Sequence, residues 1–598
     1  MDRLPAPVQG AVIGIEVEVG QAVRRGQRLV LFESMKMEVP LEAPADGVVT
    51  SIAVAIGDAV AEGEPVLAFA PGAIHDGGSA ATPAAAADPR PDLLRLRERR
   101  AQFADAARPD AVAARHAKAL RTARENVDDL LDKGSFTEIG AFAVAAQRSR
   151  RPLDELQRET PADGVITGTG SIDGRPVAVL AYDYTVLAGT QGVFSHRKCD
   201  RLLDLAARQR MPLVLFAEGG GGRPGDVDWL GVAGLDCTTF ARLAALSGRV
   251  PLVGIVAGRC FAGNAALLGC CDLIIAVEGA SIGMGGPAMI EGGGLGRVDA
   301  DAVGPVEVQS ANGVVDLRVA DEAAAVALAR RYLGLAAGVT LPEARAGGPA
   351  EALRVALPAN RNALYEPRTI LSTVFDADSL LELRRDFGAG IVTALARLGG
   401  RPVAVAASQP RHLGGALDAP ACDKLARFMQ LADAWGWPLI SFVDTPGFMV
   451  GPASESTGMV RHAARLFVNA AALRVPVAAV VLRRGYGLGA MALTAGHFHA
   501  PVAIAAWPSA EFGAMGIEGA VRLGFRKELD ALPPEERERR FRQRVQEAID
   551  RGQALNMASH LEIDDVIDPA ETRGWLLRVI AGASAGERPP RRPFIDAW

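Results

Sequence analysis

Zinc-type cysteine pairs, long basic runs and membrane-length apolar segments are all missing from this 598-residue chain. Its 6 cysteines never stand in a C-x-x-C spacing, which argues against a zinc ribbon, and we predict no metal site. Lys and Arg number 64 against 70 Asp and Glu, so nucleic acid and anionic membranes are poor candidate partners. The longer apolar stretches, such as residues 475–482, are too short to cross a membrane. Because a secretory leader is also missing, we expect a cytoplasmic protein with reduced cysteines.

Length and composition predict a folded protein with several domains. A chain of 598 residues is too long for one hydrophobic core, so about two to four domains are expected. Apolar residues make up 49% and charged residues 22%, which is typical of globular proteins and excludes a largely disordered or fibrous chain.

A short repeat organises the first 70 residues. The glycines and valines from Gly10 to Val30 recur 37 positions later, from Gly47 to Leu67. Each half alternates apolar and polar residues between glycines, which predicts short strands that close into a small all-β sandwich or flattened barrel over residues 1–70. The midpoint of this symmetry is Lys36, which we expect at an exposed hairpin tip. Residues 71–92 follow with an Ala, Pro, Gly and Asp composition that predicts a flexible linker.

A larger repeat covers most of the remaining chain. The segment Gly-Arg-Pro-Val-Ala-Val at Gly174 returns 226 positions later at Gly400. Strand patterns alternate with helix patterns in both copies, so we predict two tandem α/β domains over residues 93–345 and 346–598.

Each copy places a glycine-rich turn after a buried strand, at residues 258–264 and 484–490. A glycine turn that opens a helix lets the backbone approach a ligand closely, and the helix N-terminus favours anions. One such turn is more often only a tight turn. Two at equivalent positions predict two pockets that hold negative charge.

The segment Ser34-Met35-Lys36-Met37 resembles the Ala/Ser-Met-Lys-Met signature of the biotinyl domains of biotin-dependent carboxylases. On a bare hairpin, Lys36 would be an ordinary solvated lysine. In this symmetric setting the resemblance implies that a biotin protein ligase attaches biotin covalently to it, because a group carrier needs an accessible amine.

Residues 93–598 resemble the carboxyltransferases of acyl-CoA carboxylases, which belong to the crotonase superfamily. The motifs that carry the resemblance are Arg121-Thr122-Ala123-Arg124-Glu125-Asn126, Asp163-Gly164-Val165, Asp444-Thr445-Pro446-Gly447-Phe448 and Arg483-Arg484-Gly485-Tyr486-Gly487. The resemblance implies that the chain moves a carboxyl group from carboxybiotin to the α-carbon of a coenzyme A thioester through an enolate, with no side chain acting as general base.

The resemblance also implies the residues of two oxyanion sites. Ala262 and Gly263 are expected to donate backbone N–H groups to the enolate oxygen, and Gly489 and Ala490 to the ureido oxygen of biotin. Both turns depart from the family pattern, so either assignment can shift by one residue.

Three further positions follow from the same resemblance. Lys198 and Arg223 are expected on the coenzyme A side of the site. Short-chain members carry an acid two residues beyond the second turn, where this chain has Ala492 with Met491 and Leu493 beside it. This apolar neighbourhood predicts acceptance of longer acyl chains.

No ATP-grasp domain or nucleotide loop is recognisable, so we expect a separate biotin carboxylase subunit as partner. The family also implies a homo-hexameric core. A biotin-dependent decarboxylase of the malonyl- or methylmalonyl-CoA type is the alternative, since the transfer is reversible. An inactive scaffold with the same fold would be expected to lack Lys36.

Overall fold

The structure is a computed structural model that describes residues 2–72, 90–228, 234–342, 344–583 and 594–598. The chain forms two compact units, Met1–Leu94 and Arg95–Trp598. Most of the linker predicted at 71–92 lies outside the described residues. No helix within the described ranges is long and apolar enough to span a membrane.

The first unit consists of two four-stranded antiparallel sheets, as the small all-β prediction requires. Its strands are β1 (Asp2–Pro5), β2 (Gly10–Ile15), β3 (Ala22–Val23), β4 (Arg28–Ser34), β5 (Met37–Glu42), β6 (Gly47–Ile52), β7 (Ala59–Val60) and β8 (Pro65–Pro71). The sheet orders are β1-β8-β6-β3 and β5-β4-β2-β7. Strands β2, β3 and β4 recur 37 positions later as β6, β7 and β8, which confirms the short repeat. Phe32 and its repeat partner Phe69 are both fully buried in one core.

Lys36 lies at the tip of a two-residue hairpin loop between β4 and β5, where Ser34 pairs with Met37. Met35 and Lys36 both have positive φ angles, 50° and 67°. Two central residues with positive φ define the type I′ turn, whose twist matches that of the flanking strands. The turn directs Lys36 into solvent, and Met35 and Met37 beside it are 96% and 67% exposed.

The first half of the second unit is built on a seven-stranded sheet of order β17-β15-β13-β12-β11-β10-β9. The strands are β9 (Thr137–Ile139), β10 (Val165–Ile172), β11 (Arg175–Tyr182), β12 (Leu213–Phe216), β13 (Leu252–Val256), β14 (Arg259–Phe261), β15 (Leu273–Val277), β16 (Ser281–Gly283) and β17 (Leu317–Val319). The α-helices from residue 91 onward are α1 (Pro91–Ala101), α2 (Pro109–His116), α3 (Ala123–Leu130), α4 (Leu153–Glu159), α5 (Val193–Gln209), α6 (Thr239–Ala244), α7 (Gly263–Gly269), α8 (Pro287–Gly292), α9 (Val306–Ala311) and α10 (Glu322–Ala336). Strands β12, β13 and β15 are buried along their whole length, as parallel strands covered on both faces are.

The second half is built on an eight-stranded sheet in which β18-β19-β20-β21-β22-β23-β25 lie in order and β24 pairs with β22. The strands are β18 (Leu381–Leu383), β19 (Ile391–Leu398), β20 (Arg401–Ser408), β21 (Leu439–Thr445), β22 (Val477–Tyr486), β23 (Ala503–Ala506), β24 (Glu511–Gly513) and β25 (Asp565–Val566). The α-helices are α11 (Pro367–Val374), α12 (Ala419–Trp435), α13 (Pro452–Glu455), α14 (Met459–Ala472), α15 (Gly487–Leu493), α16 (Ile517–Gly524), α17 (Arg526–Asp530), α18 (Pro534–Arg551), α19 (Ala554–Ser559) and α20 (Thr572–Gly582).

The element order confirms the larger repeat. Strands β10, β11 and β12 and helix α5 each begin 226 positions before β19, β20, β21 and α12. The offset is 225 between β13 and β22 and 224 between α7 and α15. The first residue of α7, Gly263, is therefore equivalent to Gly487 rather than to Gly489.

One core joins the two halves. Buried side chains from both, among them Val214 and Leu439, form a single apolar cluster. Buried Asp316 of the first half pairs with Arg384 at 2.8 Å and with Arg427 at 3.6 Å, both in the second half. The domains predicted at 93–345 and 346–598 are thus two topological copies within one compact unit.

Candidate active site

The first glycine turn leads from β14 into α7 and presents unpaired backbone N–H groups. The N–H of Ala262 donates to the carbonyl of Gly283 at 2.9 Å. The N–H groups of Gly263 and Asn264, in the first turn of α7, have no partner among the described residues. The first turn of a helix leaves its N–H groups without intrahelical acceptors. The expected donor pair therefore shifts by one residue, and the role predicted for Ala262 is corrected.

The loop that contains Gly219, Gly220, Gly221 and Gly222 packs against this first turn and holds it in place. The Asn264 side chain accepts from the N–H of Gly221 at 3.0 Å and donates to the carbonyl of Glu218 at 3.3 Å. A Cβ on Gly221 would lie 2.6 Å from the Cβ of Ala262, so only glycine fits there. Asn264 thus stabilises the turn with its side chain and leaves its own N–H free. The family pattern did not point to it, because an asparagine stands here where the family has an alanine.

The second turn leads from β22 into α15, which begins at Gly487 with φ of 55°. Leu488 and Gly489 are the next two residues, and their N–H groups have no partner among the described residues. Ala490 is the fourth helical residue and is fully buried. Gly489 thus stays an expected donor, the role of Ala490 stays a prediction, and Leu488 is a further candidate donor at the same helix start.

The motif that begins at Asp444 and the motif that begins at Arg483 meet at this second turn. Asp444 is fully buried and pairs with Arg483 at 3.0 Å and with Arg484 at 2.7 Å. A Cβ on Gly489 would lie 2.7 Å from the Cα of Gly447, so the helix start and the Asp444 loop are in backbone contact. A buried carboxylate must be paired, and this pairing holds the loop against the turn.

Lys198 was predicted on the coenzyme A side of the site, but the structure places it in the protein interior. Its side chain is buried, and its ammonium donates to the carbonyls of Ala162, at 2.7 Å, and Val165. Lys424, 226 positions later, is buried in the same way and donates to the carbonyl of Phe387 at 2.9 Å. Burial lowers the pKa of Lys198 to about 8. A lysine that occurs in both copies with its ammonium facing backbone carbonyls has a structural role, so the predicted contact with coenzyme A is wrong.

Arg223 is also internal. Its side chain is 4% exposed and forms an ion pair with the fully buried carboxylate of Asp163. It donates in addition to the carbonyl of Thr190 at 2.8 Å, while Asp163 accepts from the N–H of Ser195 at 2.6 Å. These partners leave Arg223 no face toward a ligand. It stabilises the glycine loop that packs against the first turn, and its predicted contact with coenzyme A is corrected.

A cavity of about 560 Å³ lies at the carboxyl ends of the first-half strands. Gly258 and Arg259, which lead into the first turn, form part of its wall together with Lys118 and Tyr184. Lys118 is exposed and has no ion pair with any described residue. No sequence motif singled it out, because an isolated surface lysine carries no pattern.

A larger cavity of about 710 Å³ lies beside the second turn, with Gly487 on its wall. Met491, Phe498 and Phe512 supply much of its apolar lining. Ala492 is fully buried and does not line the cavity. At the position of the short-chain acid the residue that faces the cavity is thus not Ala492 itself but its neighbour Met491.

Models of two protein families match the chain. The carboxyl transferase domain matches residues 114–592, and the biotin-requiring enzyme domain matches residues 3–69. The chain belongs to the carboxyl transferase family. It is a fused biotin carrier and carboxyltransferase, with covalent biotin as cofactor and an acyl-CoA as substrate. Lys36 fits the attachment point, because it is exposed and has no hydrogen-bond partner among the described residues.

This carboxyltransferase is similar to three known proteins. The 12S subunit of methylmalonyl-CoA carboxyltransferase from Propionibacterium freudenreichii subsp. shermanii is 34% identical over 471 residues, 77% of this chain and 87% of that protein. A single-chain, multi-domain long-chain acyl-CoA carboxylase is 48% identical with a TM-score of 0.78, covering 97% of this chain. This carboxyltransferase spans 56% of that longer chain. Transcarboxylase 12S, solved as a hexamer with methylmalonyl-coenzyme A, is 30% identical with a TM-score of 0.74, covering 84% of this chain and 98% of that one.

Replacement of Lys36 by arginine is expected to abolish biotinylation. The positive charge and the hairpin are retained, but the guanidinium cannot form the amide bond to biotin. Co-expression with a biotin ligase and streptavidin blotting measures the outcome, with Lys133→Arg as the matched control at another exposed lysine. A persistent signal in Lys36→Arg would show that biotin is attached elsewhere.

Gly489→Val is expected to lower the rate of carboxyl transfer by about a hundred- to a thousand-fold, since it displaces an oxyanion donor. The valine Cβ would collide with Gly447, whose Cα lies 2.7 Å from its position. Steady-state kinetics measures the loss, and acyl-CoA binding by calorimetry should persist. The control is Gly524→Val at the end of α16, where a Cβ meets no atom within 4 Å. Equal losses in both variants would contradict the assignment.

Proposed function

We propose that this carboxyltransferase acts with a separate biotin carboxylase subunit as an acyl-CoA carboxylase that accepts long acyl chains. The observation that carries the proposal is the pair of helix starts at equivalent positions of the repeat, each with two unpaired N–H groups. Carboxyl transfer to an acyl-CoA develops negative charge on two oxygens, the thioester oxygen and the ureido oxygen of biotin. Two fixed donor pairs match that requirement.

In the first half, the N–H groups of Gly263 and Asn264 stabilise the enolate oxygen of the thioester. The adjacent cavity, with Lys118 and Arg259 on its wall, receives the coenzyme A portion. Ammonium and guanidinium groups bind phosphates by charge-assisted hydrogen bonds. Among the described residues, Lys118 takes the place of the internal Lys198 and Arg223 as the free cation of the substrate site. Arg259 pairs with Asp301 at 2.9 Å on the same wall and remains partly exposed.

In the second half, the N–H groups of Leu488 and Gly489 hold the ureido oxygen of biotin. Biotin on Lys36 supplies the carboxyl group and, through its nitrogen, the acceptor for the α-proton. Neither turn contains His, Asp or Glu, so this chain contributes orientation and oxyanion stabilisation rather than a side-chain base.

The active enzyme is proposed to be a homo-hexamer in which the two turns of one site come from different subunits. Transcarboxylase 12S, to which the chain is similar, is a hexamer. The surface around the second turn supports burial against another copy, since Leu488, Val450 and Val460 are 60%, 79% and 70% exposed. Clustered exposed apolar side chains of this kind mark an interaction surface.

The long-chain preference rests on the 710 Å³ cavity beside the second turn. Met491 lines it beside Ala492, the position at which short-chain members carry an acid, and together with Phe498 and Phe512 it offers an alkyl chain an apolar wall. The 48% identity to a long-chain acyl-CoA carboxylase supports the same preference.

If a separate subunit carboxylates biotin with ATP, this chain should catalyse its own partial reaction without ATP. Purified biotinylated protein is expected to release CO2 slowly from malonyl-CoA by transfer to its own biotin, and ATP with bicarbonate should leave this rate unchanged. The measurement is CO2 release with and without ATP, with Lys36→Arg as the inactive control. ATP-driven carboxylation of acetyl-CoA by this polypeptide alone would overturn the proposal.

Met491→Asp is expected to reduce turnover of long-chain substrates at least about tenfold while methylmalonyl-CoA is affected less, because a carboxylate in an apolar wall disfavours an alkyl chain. The measurement compares kcat/KM for CO2 release from methylmalonyl-CoA and from long-chain alkylmalonyl-CoA. Val355→Asp, at a residue 81% exposed, is the control for an added charge. An unchanged ratio between the two substrates would contradict the chain-length assignment.

A further inference from the structure

A third cavity, of about 550 Å³, lies between the two halves of the second unit. Its walls come from the end of α10, the turn between β10 and β11, the stretch before β18 and the end of β19. Small-molecule sites commonly have volumes of about 300–1,000 Å³. The volume is therefore sufficient for a ligand the size of a mononucleotide.

This cavity lies at the opposite edge of the sheets from the glycine turns. Arg175 on its wall is the first residue of β11, and Arg397 pairs with Pro402 near the start of β20. Both glycine turns follow the carboxyl ends of the parallel strands. Strand β11 has 8 residues, so about 25 Å of sheet separates the two edges at about 3.3 Å per residue. The cavity is therefore not part of the proposed catalytic site.

Four arginines on the cavity wall lack a carboxylate partner among the described residues. Arg175 and Arg345 are exposed and make no side-chain hydrogen bond there. Arg331 is half-buried and donates only to carbonyls, to that of Ser379 at 2.6 Å among others. Arg397 is also half-buried and donates only to carbonyls.

The two half-buried guanidinium groups are held at an electrostatic cost. Burial lowers the pKa of Arg331 and of Arg397; the negative charge of Asp378 offsets part of this at Arg331, and that of Asp376 offsets part of it at Arg397, where Arg331 adds to the lowering. Their remaining N–H groups have no acceptor in the described part of the chain. A negatively charged ligand would accept hydrogen bonds from these N–H groups and offset the cost of burying the two positive charges.

The carboxylates around the cavity offset only part of this charge. Asp173 pairs with Arg330 at 2.6 Å, and Asp376 pairs with Arg573 at 2.6 Å. Asp378 is the one acidic wall residue without an ion pair in the described ranges. Four unpaired arginines against one unpaired carboxylate leave a clear surplus of positive charge.

We propose that this cavity binds a phosphate-bearing small molecule. The planar guanidinium groups match phosphate oxygens in charge and geometry. Leu335, Val339 and Leu341 form an apolar part of the wall, against which the non-phosphate part of the ligand packs. The ligand contacts residues of both halves and therefore stabilises their relative arrangement.

The test uses the full biotinylated protein and calorimetric titration with AMP and with inorganic phosphate. Saturating coenzyme A keeps the substrate cavity filled. The cavity variant is the double substitution Arg175→Gln and Arg345→Gln, which removes two exposed arginines with no internal contacts. The matched control is Arg249→Gln with Arg578→Gln, which removes two exposed arginines outside the cavity. Thermal unfolding and carboxyl transfer confirm that both variants are folded.

The expected result is saturable binding of both probes, with AMP tighter than inorganic phosphate because of the apolar wall. Binding should weaken by about tenfold or more in the cavity variant and stay unchanged in the control. Absence of saturable binding to the wild-type protein would overturn the proposal. Equal weakening in both double variants would also overturn it, since that result reflects the overall charge of the protein.

Discussion

The first turn of an α-helix leaves its backbone N–H groups without acceptors inside the helix, and the proposed chemistry of this protein depends on keeping two such sets free. At α7 the N–H groups of Gly263 and Asn264 are unpaired, and at α15 those of Leu488 and Gly489. Unpaired donors are costly when water is excluded, so they persist only where the surrounding backbone is fixed. The oxyanion that develops during carboxyl transfer is the group that compensates them.

Two clusters of buried charge in the second unit fix that backbone. The Asp163–Arg223 ion pair holds the glycine loop that packs on the first turn, and Asp444 with Arg483 and Arg484 holds the loop that packs on the second. Removing one partner of such a pair leaves an uncompensated buried charge, which typically costs about 3–5 kcal/mol. These residues therefore stabilise the turns through internal contacts, and motif similarity alone cannot separate that role from a binding role.

Duplication of the α/β fold gives the two edges of the sheets different uses. At the carboxyl ends of the parallel strands, the two copies each supply a helix start and a cavity. At the opposite edge, the copies meet around an arginine-lined cavity between α10 and β19. Because one apolar core and the ion pairs of Asp316 join the halves, a ligand at that edge acts on a single compact body.

The sequence by itself determined the architecture: both repeats appear in the structure at offsets of 37 and 226 positions, because hydrophobic periodicity and glycine spacing are local properties of the chain. It also determined the exposed position of Lys36, which follows from the symmetry of the small domain. Only the tertiary structure showed that the Ala262 N–H is engaged by Gly283 and that the two helix starts differ by two residues from the main repeat offset, since both arise from contacts distant in sequence. It likewise decided that Lys198 and Arg223 are internal. Whether a charged side chain faces solvent or a buried partner depends on packing across the whole fold, which no local pattern encodes.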